Sequence, residues 1–326
     1  MSDSSSALVF GWITRMLSGF YTVKLDTATS LLVGAGATAG QSLASDEVMC
    51  HLRGRLKRNR FDGDILAIGD RVKVALQADG TGMIEEIETR THALVRLAPT
   101  ARGEYRQVLL ANPDQVVMVF ACAQPEPRLR MLDRFLVICE KNELSALIVA
   151  NKVDLVGLEA AQRVFDVYNR LGYPVLYTSV ASGQGVDELK AHLVGKVSGL
   201  AGPSGVGKSS LLNAIQPNLG LAVRTVSETT EKGRHTTVVR QLFPLVEGGF
   251  VADLPGLKSL ALWDTEPEEL DGYFPELREL VSACQFNDCT HRSEPGCAVR
   301  QAVDAGDVSP ARYDSYLRMR YGDEEG

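Results

Sequence analysis

Apolar and polar positions change their period twice along this chain. From Gly19 to Ala93 the runs are short and alternate. They are Phe20-Tyr21-Thr22-Val23-Lys24-Leu25, Met49 to Leu56 with basic residues outward, Gly69 to Leu76, and Met83-Ile84-Glu85-Glu86-Ile87. A period of two marks half-buried strands. Strands at this spacing predict a small barrel of the oligonucleotide-binding (OB-fold) type over 16–93, with the Gly- and Ala-rich stretch 34–40 as a loop. Residues 1–15 read as a loose tail or short helix, and 94–112 as a linker carrying Arg96, Arg102 and Arg106.

Over 113–265 continuous apolar runs alternate with helical spacing. Val116 to Ala121 and Ala146 to Ala150 read as buried strands. Between them Leu132, Phe135, Leu136 and Cys139 recur at i, i+3, i+4 and i+7. A helix near Glu159 to Leu171 and a strand at Pro174 to Tyr177 follow. This alternation predicts an α/β domain with a mostly parallel sheet. From Glu266 to the end, 266–326, the pattern is mainly helical. Ser309 reads as a helix cap with Pro310 in the first turn. Tyr313, Tyr316, Leu317 and Arg320 share one face of that helix, which suits core packing for the tyrosines. Arg312, Arg318 and Arg320 read as RNA contacts.

A length of 326 residues allows two or three domains, and 45% hydrophobic with 23% charged residues describes a globular chain. The net charge of −7 excludes a generally basic nucleic-acid binder, so RNA contact must come from local patches. The barrel holds one: Arg53, Arg55, Lys57, Arg58, Arg60, Arg71 and Lys73. Six cysteines are few for this length, and three of them lie near one histidine, which suggests a reducing, cytoplasmic compartment. Cys122 and Cys139 read as core. No apolar run approaches ~18 residues, so no membrane span is expected.

The chemistry concentrates in three short motifs. Gly202-Pro203-Ser204-Gly205-Val206-Gly207-Lys208-Ser209-Ser210 has the spacing G-x-x-x-x-G-K-S. Its glycines let backbone amides surround a phosphate, Lys208 reaches the β- and γ-oxygens, and the Ser209 hydroxyl can ligate Mg²⁺. Asn151-Lys152-Val153-Asp154 follows an apolar strand. The Asp154 carboxylate can accept from guanine N1–H and the 2-amino group, which adenine lacks. Asn151 braces the loop, and the Lys152 stem lies along the ring. Asp253-Leu254-Pro255-Gly256 ends another strand, with Asp253 placed for Mg²⁺ and the Gly256 amide for the γ-phosphate. Thr178-Ser179-Val180 suits a backbone amide, best that of Ser179, against guanine O6. Gly233-Arg234-His235-Thr236-Thr237 offers Thr236 or Thr237 as a further Mg²⁺ ligand.

The base motif precedes the phosphate loop, the reverse of the ordinary order, which a circular permutation explains. One continuous segment then leads from Asp253 and Gly256 into the C-terminal region. There Cys284, Cys289, His291 and Cys297 form a Cys₃His set, a closed structural zinc pattern.

These residues together resemble the circularly permuted small-subunit ribosome biogenesis GTPases of the RsgA type, over about residues 16–322. The resemblance implies an OB-fold barrel, a permuted GTPase and a zinc domain in that order. It implies slow GTP hydrolysis stimulated by the small (30S) ribosomal subunit during late maturation, and help in releasing another assembly factor. Zn²⁺, one per chain, and Mg²⁺ with GTP are the implied cofactors, and the chain is expected to act as a monomer. Leu254 departs from the family, whose members usually carry a small hydroxyl residue there.

Many GTPases place a water-orienting glutamine where this chain has Leu257, which has no hydrogen-bonding group. The isolated protein is therefore expected to be slow, with His235 as the candidate group that orients water. A rival reading is an rRNA-binding protein that holds GTP with little turnover; another is a GTPase that acts on a different RNA or protein.

Overall fold

The computed structural model describes residues 8–17, 19–26, 46–56, 64–100, 103–219, 221, 240–254 and 265–322, with backbone alone at 97–100 and 103–104. Five strands, Leu8–Leu17 (β1), Phe20–Leu25 (β2), Glu47–Leu52 (β3), Arg71–Leu76 (β4) and Gly82–Ile87 (β5), close a barrel in the order β1-β2-β3-β5-β4. β4 returns to β1, and only β3 and β5 run parallel among these pairs. Alternate residues fill the interior, among them Val9, Ile13, Val23, Val48, Val72 and Ile84.

The barrel begins earlier than the sequence suggests. Residues 8–15 are strand, not tail or helix, and β1 pairs on both sides, with β2 and β4. The alternation of β1 breaks because its register with β2 shifts between Ile13 and Arg15, leaving Ile13 and Thr14 both buried. A bulge of this kind hides a strand from a period-two reading.

The stretch expected as a linker is an antiparallel hairpin, Ala93–Thr100 (β6) with Gly103–Ala111 (β7). Asp64 holds it, accepting from the Tyr105 hydroxyl at 2.8 Å and the Val108 amide at 3.0 Å. Arg90 forks onto the buried Asp70 at 2.7 and 2.8 Å. The Gly- and Ala-rich stretch 34–40 lies outside the described residues.

Gln115–Ala121 (β8), Ser145–Asn151 (β9), Val175–Thr178 (β10), Val197–Ala201 (β11), Leu242–Pro244 (β12) and Phe250–Asp253 (β13) form a sheet ordered β10-β9-β8-β11-β13-β12. β8, β9 and β10 run parallel, and all seven residues of β8 are buried. Strands covered on both faces read as unbroken apolar runs, which explains the sequence pattern. The helices are Leu129–Lys141 (α1), Leu158–Arg170 (α2), Val186–Leu193 (α3) and Lys208–Ile215 (α4). Cys139 is buried on α1, on the face its spacing predicts.

The C-terminal part starts with a 3₁₀ turn at Pro267–Tyr273 and continues through Pro275–Arg278 (α5), Ala298–Ala305 (α6) and Pro310–Tyr321 (α7). Leu270, Phe274, Leu277, Val299 and Tyr316 form its core. Pro310 opens α7 as predicted, but the Ser309 side chain makes no capping hydrogen bond. Arg312, expected to face RNA, is only 2% exposed and bonds Asp133 and Glu276. Arg318 pairs with Asp314, and Arg320 donates to the Tyr316 hydroxyl. Among the described residues no helix is long and apolar enough to cross a membrane.

Candidate nucleotide site and metal centre

The phosphate motif is the turn between β11 and α4. Gly202 has φ +143°, and a Cβ there would lie 2.1 Å from the Val119 carbonyl oxygen on β8. Gly207 has φ +99°, and its Cβ would lie 2.4 Å from Asn151 Nδ2. Both positions therefore require glycine for conformation and for space. Pro203, Ser204, Gly205 and the buried Val206 complete the loop, and Ser209 and Ser210 fall in the first turn of α4. That helix directs its free amides toward the loop, where an anion is favoured. Lys208 Nζ donates to the carbonyls of Gly202 at 2.9 Å and Pro203 at 3.0 Å.

The base motif is tied to this loop. Asn151, 2% exposed, donates from Nδ2 to the Val206 carbonyl at 2.8 Å and accepts at Oδ1 from the Thr178 hydroxyl at 3.0 Å. Lys152 sits in the left-handed region and donates to the Gly205 carbonyl at 2.7 Å and to the Gln124 carbonyl. Val153 is buried and starts a short 3₁₀ turn that carries Asp154. Two motifs about fifty residues apart in sequence are thus joined by side-chain hydrogen bonds.

Ser179 is bonded through both its amide and its hydroxyl. Its amide donates to the Gln184 carbonyl at 3.0 Å. Its hydroxyl donates to Asp154 Oδ1 at 2.5 Å and accepts from the Ser182 amide at 3.2 Å. Ser179 therefore holds the Asp154 carboxylate in place. Thr178 and Ser182 are supports that the motif reading missed; the polar cluster at the end of β10 was their only signal.

Asp253 closes β13, and Leu254 after it is buried. Gly199 on β11 makes room for Leu254, since a Cβ at 199 would lie 2.6 Å from Leu254 Cδ1. His235, Thr236, Thr237 and Gly256 lie outside the described residues.

In the C-terminal part, Cys284, Cys289, His291 and Cys297 bring one ligand atom each to within 4.8 Å of one another. His291 Nδ1 lies 3.6 Å from Cys284 Sγ and 3.4 Å from Cys297 Sγ. A tetrahedral ion with the usual zinc–sulfur and zinc–nitrogen lengths separates such atoms by about 3.6 Å. The four residues fit a metal ion. The other ring nitrogen, Nε2, lies 3.2 Å from Asp271 Oδ2, which fixes the ring as an outer carboxylate does around metal-bound histidines. No sequence pattern marked Asp271, twenty residues before its partner. Burial raises the Cys284 thiol, but the Ala298 and Val299 amides at the start of α6, with Cys289 and His291, together hold it below its ordinary value. Burial pushes Cys289 up to about 12.

Among the described residues, the cations of the barrel patch are paired with carboxylates. Arg53 and Arg55 share Glu85, Lys73 pairs with Glu86 at 2.6 Å, and Arg71 pairs with Asp26 at 2.8 Å. Lys57, Arg58 and Arg60 lie outside the described residues. Elsewhere on the barrel surface Phe20 and His51 are exposed, with ring centroids 4.9 Å apart.

A family model for the RsgA GTPase matches residues 87–263. The small ribosomal subunit biogenesis GTPase RsgA of Gemmatimonas aurantiaca is 51% identical over 272 residues, covering 82% of this chain and 88% of that protein. The protein of the same name from Thermotoga petrophila is 40% identical over 279 residues, 85% of this chain and 89% of its own. Among solved structures, YjeQ from Thermotoga maritima superposes with a TM-score of 0.74 at 35% identity, over 97% of this chain and 98% of that one. YloQ, a circularly permuted GTPase, does so with a TM-score of 0.72 at 32% identity, over 100% and 99%. With its base motif ahead of a phosphate loop that the same asparagine braces, the chain belongs to the RsgA family of GTPases.

Proposed function

We propose that this protein is a GTPase that binds the small (30S) ribosomal subunit and its rRNA and assists late maturation of that subunit. The observation that carries the reading is the Asn151 brace: it joins a guanine-reading carboxylate to a phosphate loop in a permuted chain. Relatives at 51% and 40% identity are named for biogenesis of the small subunit. Asp154 reads guanine, Lys208 and the loop amides hold the phosphates, and Ser209 and Asp253 serve Mg²⁺, with Thr236 or Thr237 added. Bound Mg²⁺ supplies charge neutralisation for phosphoryl transfer. Cys284, Cys289, His291 and Cys297 hold one structural Zn²⁺. Hydrolysis is slow alone and faster on the subunit, with His235 orienting water, and turnover accompanies release of another assembly factor. The protein works in the cytoplasm as a monomer.

On the barrel, rRNA contact combines Arg53, Arg55, Arg71 and Lys73 with the exposed rings of Phe20 and His51, on which unpaired bases stack. Co-sedimentation with purified subunits tests the whole reading. Binding should be tighter with a non-hydrolysable GTP analogue than with GDP, and added subunits should accelerate hydrolysis. Absence of co-sedimentation in either nucleotide state would refute the assignment. Normal stimulated turnover in His235→Ala would remove only the role given to that histidine.

A further inference from the structure

A hollow of about 630 Å³ opens between α1, α2 and α7. Its size falls within the roughly 300–1,000 Å³ of small-molecule sites. No residue of the phosphate loop, the base loop or the metal centre lines it. Residues one turn apart build its walls. α1 contributes Met131 and Phe135, and α7 contributes Ala311, Ser315 and Met319. Exposure falls inward, from the exposed Arg128 and Arg130 at the mouth through half-buried Met131 to buried Phe135. The hollow therefore has exposed charges at its rim, and inside it apolar side chains lie beside the buried Asp133–Arg312 pair.

The charges around it are unequal. Five arginines line it, at 128, 130, 134, 312 and 318, against two aspartates, Asp133 and Asp314. Arg312 at the floor is neutralised by Asp133 and Glu276. Asp133 in turn accepts from Arg312 at 2.8 Å, Tyr168 at 2.8 Å and Ser315 at 2.5 Å, so the floor asks nothing of a ligand. At the rim a single carboxylate, Asp314, serves both Arg130 at 3.1 Å and Arg318 at 2.9 Å. Each guanidinium keeps further N–H donors beyond that bond. Arg128 forms no ion pair among the described residues. This excess of cations stands in a chain whose net charge is −7.

We propose that the hollow is a binding site for a small amphipathic anion, its apolar body against Met131, Phe135 and Met319 and its anionic group on the rim arginines. Enclosure by three helices favours a small molecule over an extended macromolecule. Because α1 and α7 form opposite walls, an occupant bridges them and stabilises the folded state by mass action. The assignment is independent of the ribosomal reading above.

The test uses the full chain and the dye 1-anilinonaphthalene-8-sulfonate, whose fluorescence rises on transfer to apolar surroundings. Binding should saturate at one dye per chain and raise the melting temperature. N-phenyl-1-naphthylamine, the same rings without the sulfonate, should bind at least about tenfold more weakly, the effect of losing one charge-assisted hydrogen bond. The surface variant Arg128→Gln/Arg318→Gln should lose a similar factor, and Met319→Trp, which fills the hollow, should abolish saturable binding. Unaltered GTP affinity in each variant shows that it is folded. Failure of the dye to saturate, equal affinity for the two dyes, or undiminished binding in the arginine double variant would each overturn the proposal.

Discussion

Arg312→Met is the sharpest single test of how the C-terminal part is held to α1. The guanidinium reaches Asp133 at 2.8 Å and Glu276 at 2.7 and 3.1 Å. It also stacks 4.6 Å from the Phe274 ring centroid and 5.7 Å from that of Tyr168. The side chains of Arg312, Asp133 and Glu276 are 2%, 2% and 6% exposed. Removing the cation leaves two carboxylates buried with no countercharge. Breaking a buried ion pair from one side in this way costs about 3–5 kcal/mol. Tm falls by about 2–4 °C per kcal/mol in domains of 150–250 residues, which gives a drop of roughly 6–20 °C. Scanning calorimetry reads it. Adding Asp133→Asn and Glu276→Gln to Arg312→Met removes the stranded charges and should restore most of the loss. A change under about 2 °C in the single variant would refute the reasoning. A triple variant as unstable as the single one would move the cause from charge to the packing of the guanidinium plane. An RNA-facing arginine would behave in the opposite way, with Tm unchanged and rRNA affinity reduced.

Other outcomes follow from the same geometry. Asp154→Asn should weaken GTP binding and relax discrimination toward xanthine nucleotides, because an amide can donate to the xanthine 2-oxo group; unchanged guanine preference in a titration would contradict this. Gly199→Ala should cost about 1–3 kcal/mol by overpacking, since its Cβ would lie 2.6 Å from Leu254 Cδ1 and 3.1 Å from Leu110 Cδ2. Leu254→Ser in the same chain should recover much of that loss, and chemical denaturation that finds no recovery would show the strain lies elsewhere. Metal analysis should find about one zinc per chain, and chelation should loosen the C-terminal part while nucleotide binding survives; protein purified without added zinc that contains none would count against the site. Burial lifts the Cys122 thiol to about 11 and the Cys50 thiol to about 12. At pH 8 no more than about one Cys122 in a thousand is then thiolate, so both should resist alkylation until the chain unfolds. Their modification in native protein, followed by mass spectrometry, would contradict the burial.

The sequence alone determined the features whose chemistry is local. A glycine–lysine–serine turn between strand and helix has one use for its backbone, and Asn-Lys-x-Asp at a strand end has few. Cysteine spacing located the four residues that could hold a metal ion for the same reason. Period-two and period-3.6 patterns placed most strands and helices, because burial of one face depends on near neighbours in the chain. Tertiary structure decided the rest. The bulge in β1 and the pairing of β6 with β7 are set by partners on other strands. Whether an arginine's charge is already paired depends on carboxylates far away in sequence: Glu85 lies 32 positions from Arg53, and Asp133 lies 179 from Arg312. The hydrogen bond from the Ser179 amide to the Gln184 carbonyl is likewise set by the loop that follows it. A residue type fixes what a side chain can bond. Only the fold fixes which of those bonds is already made.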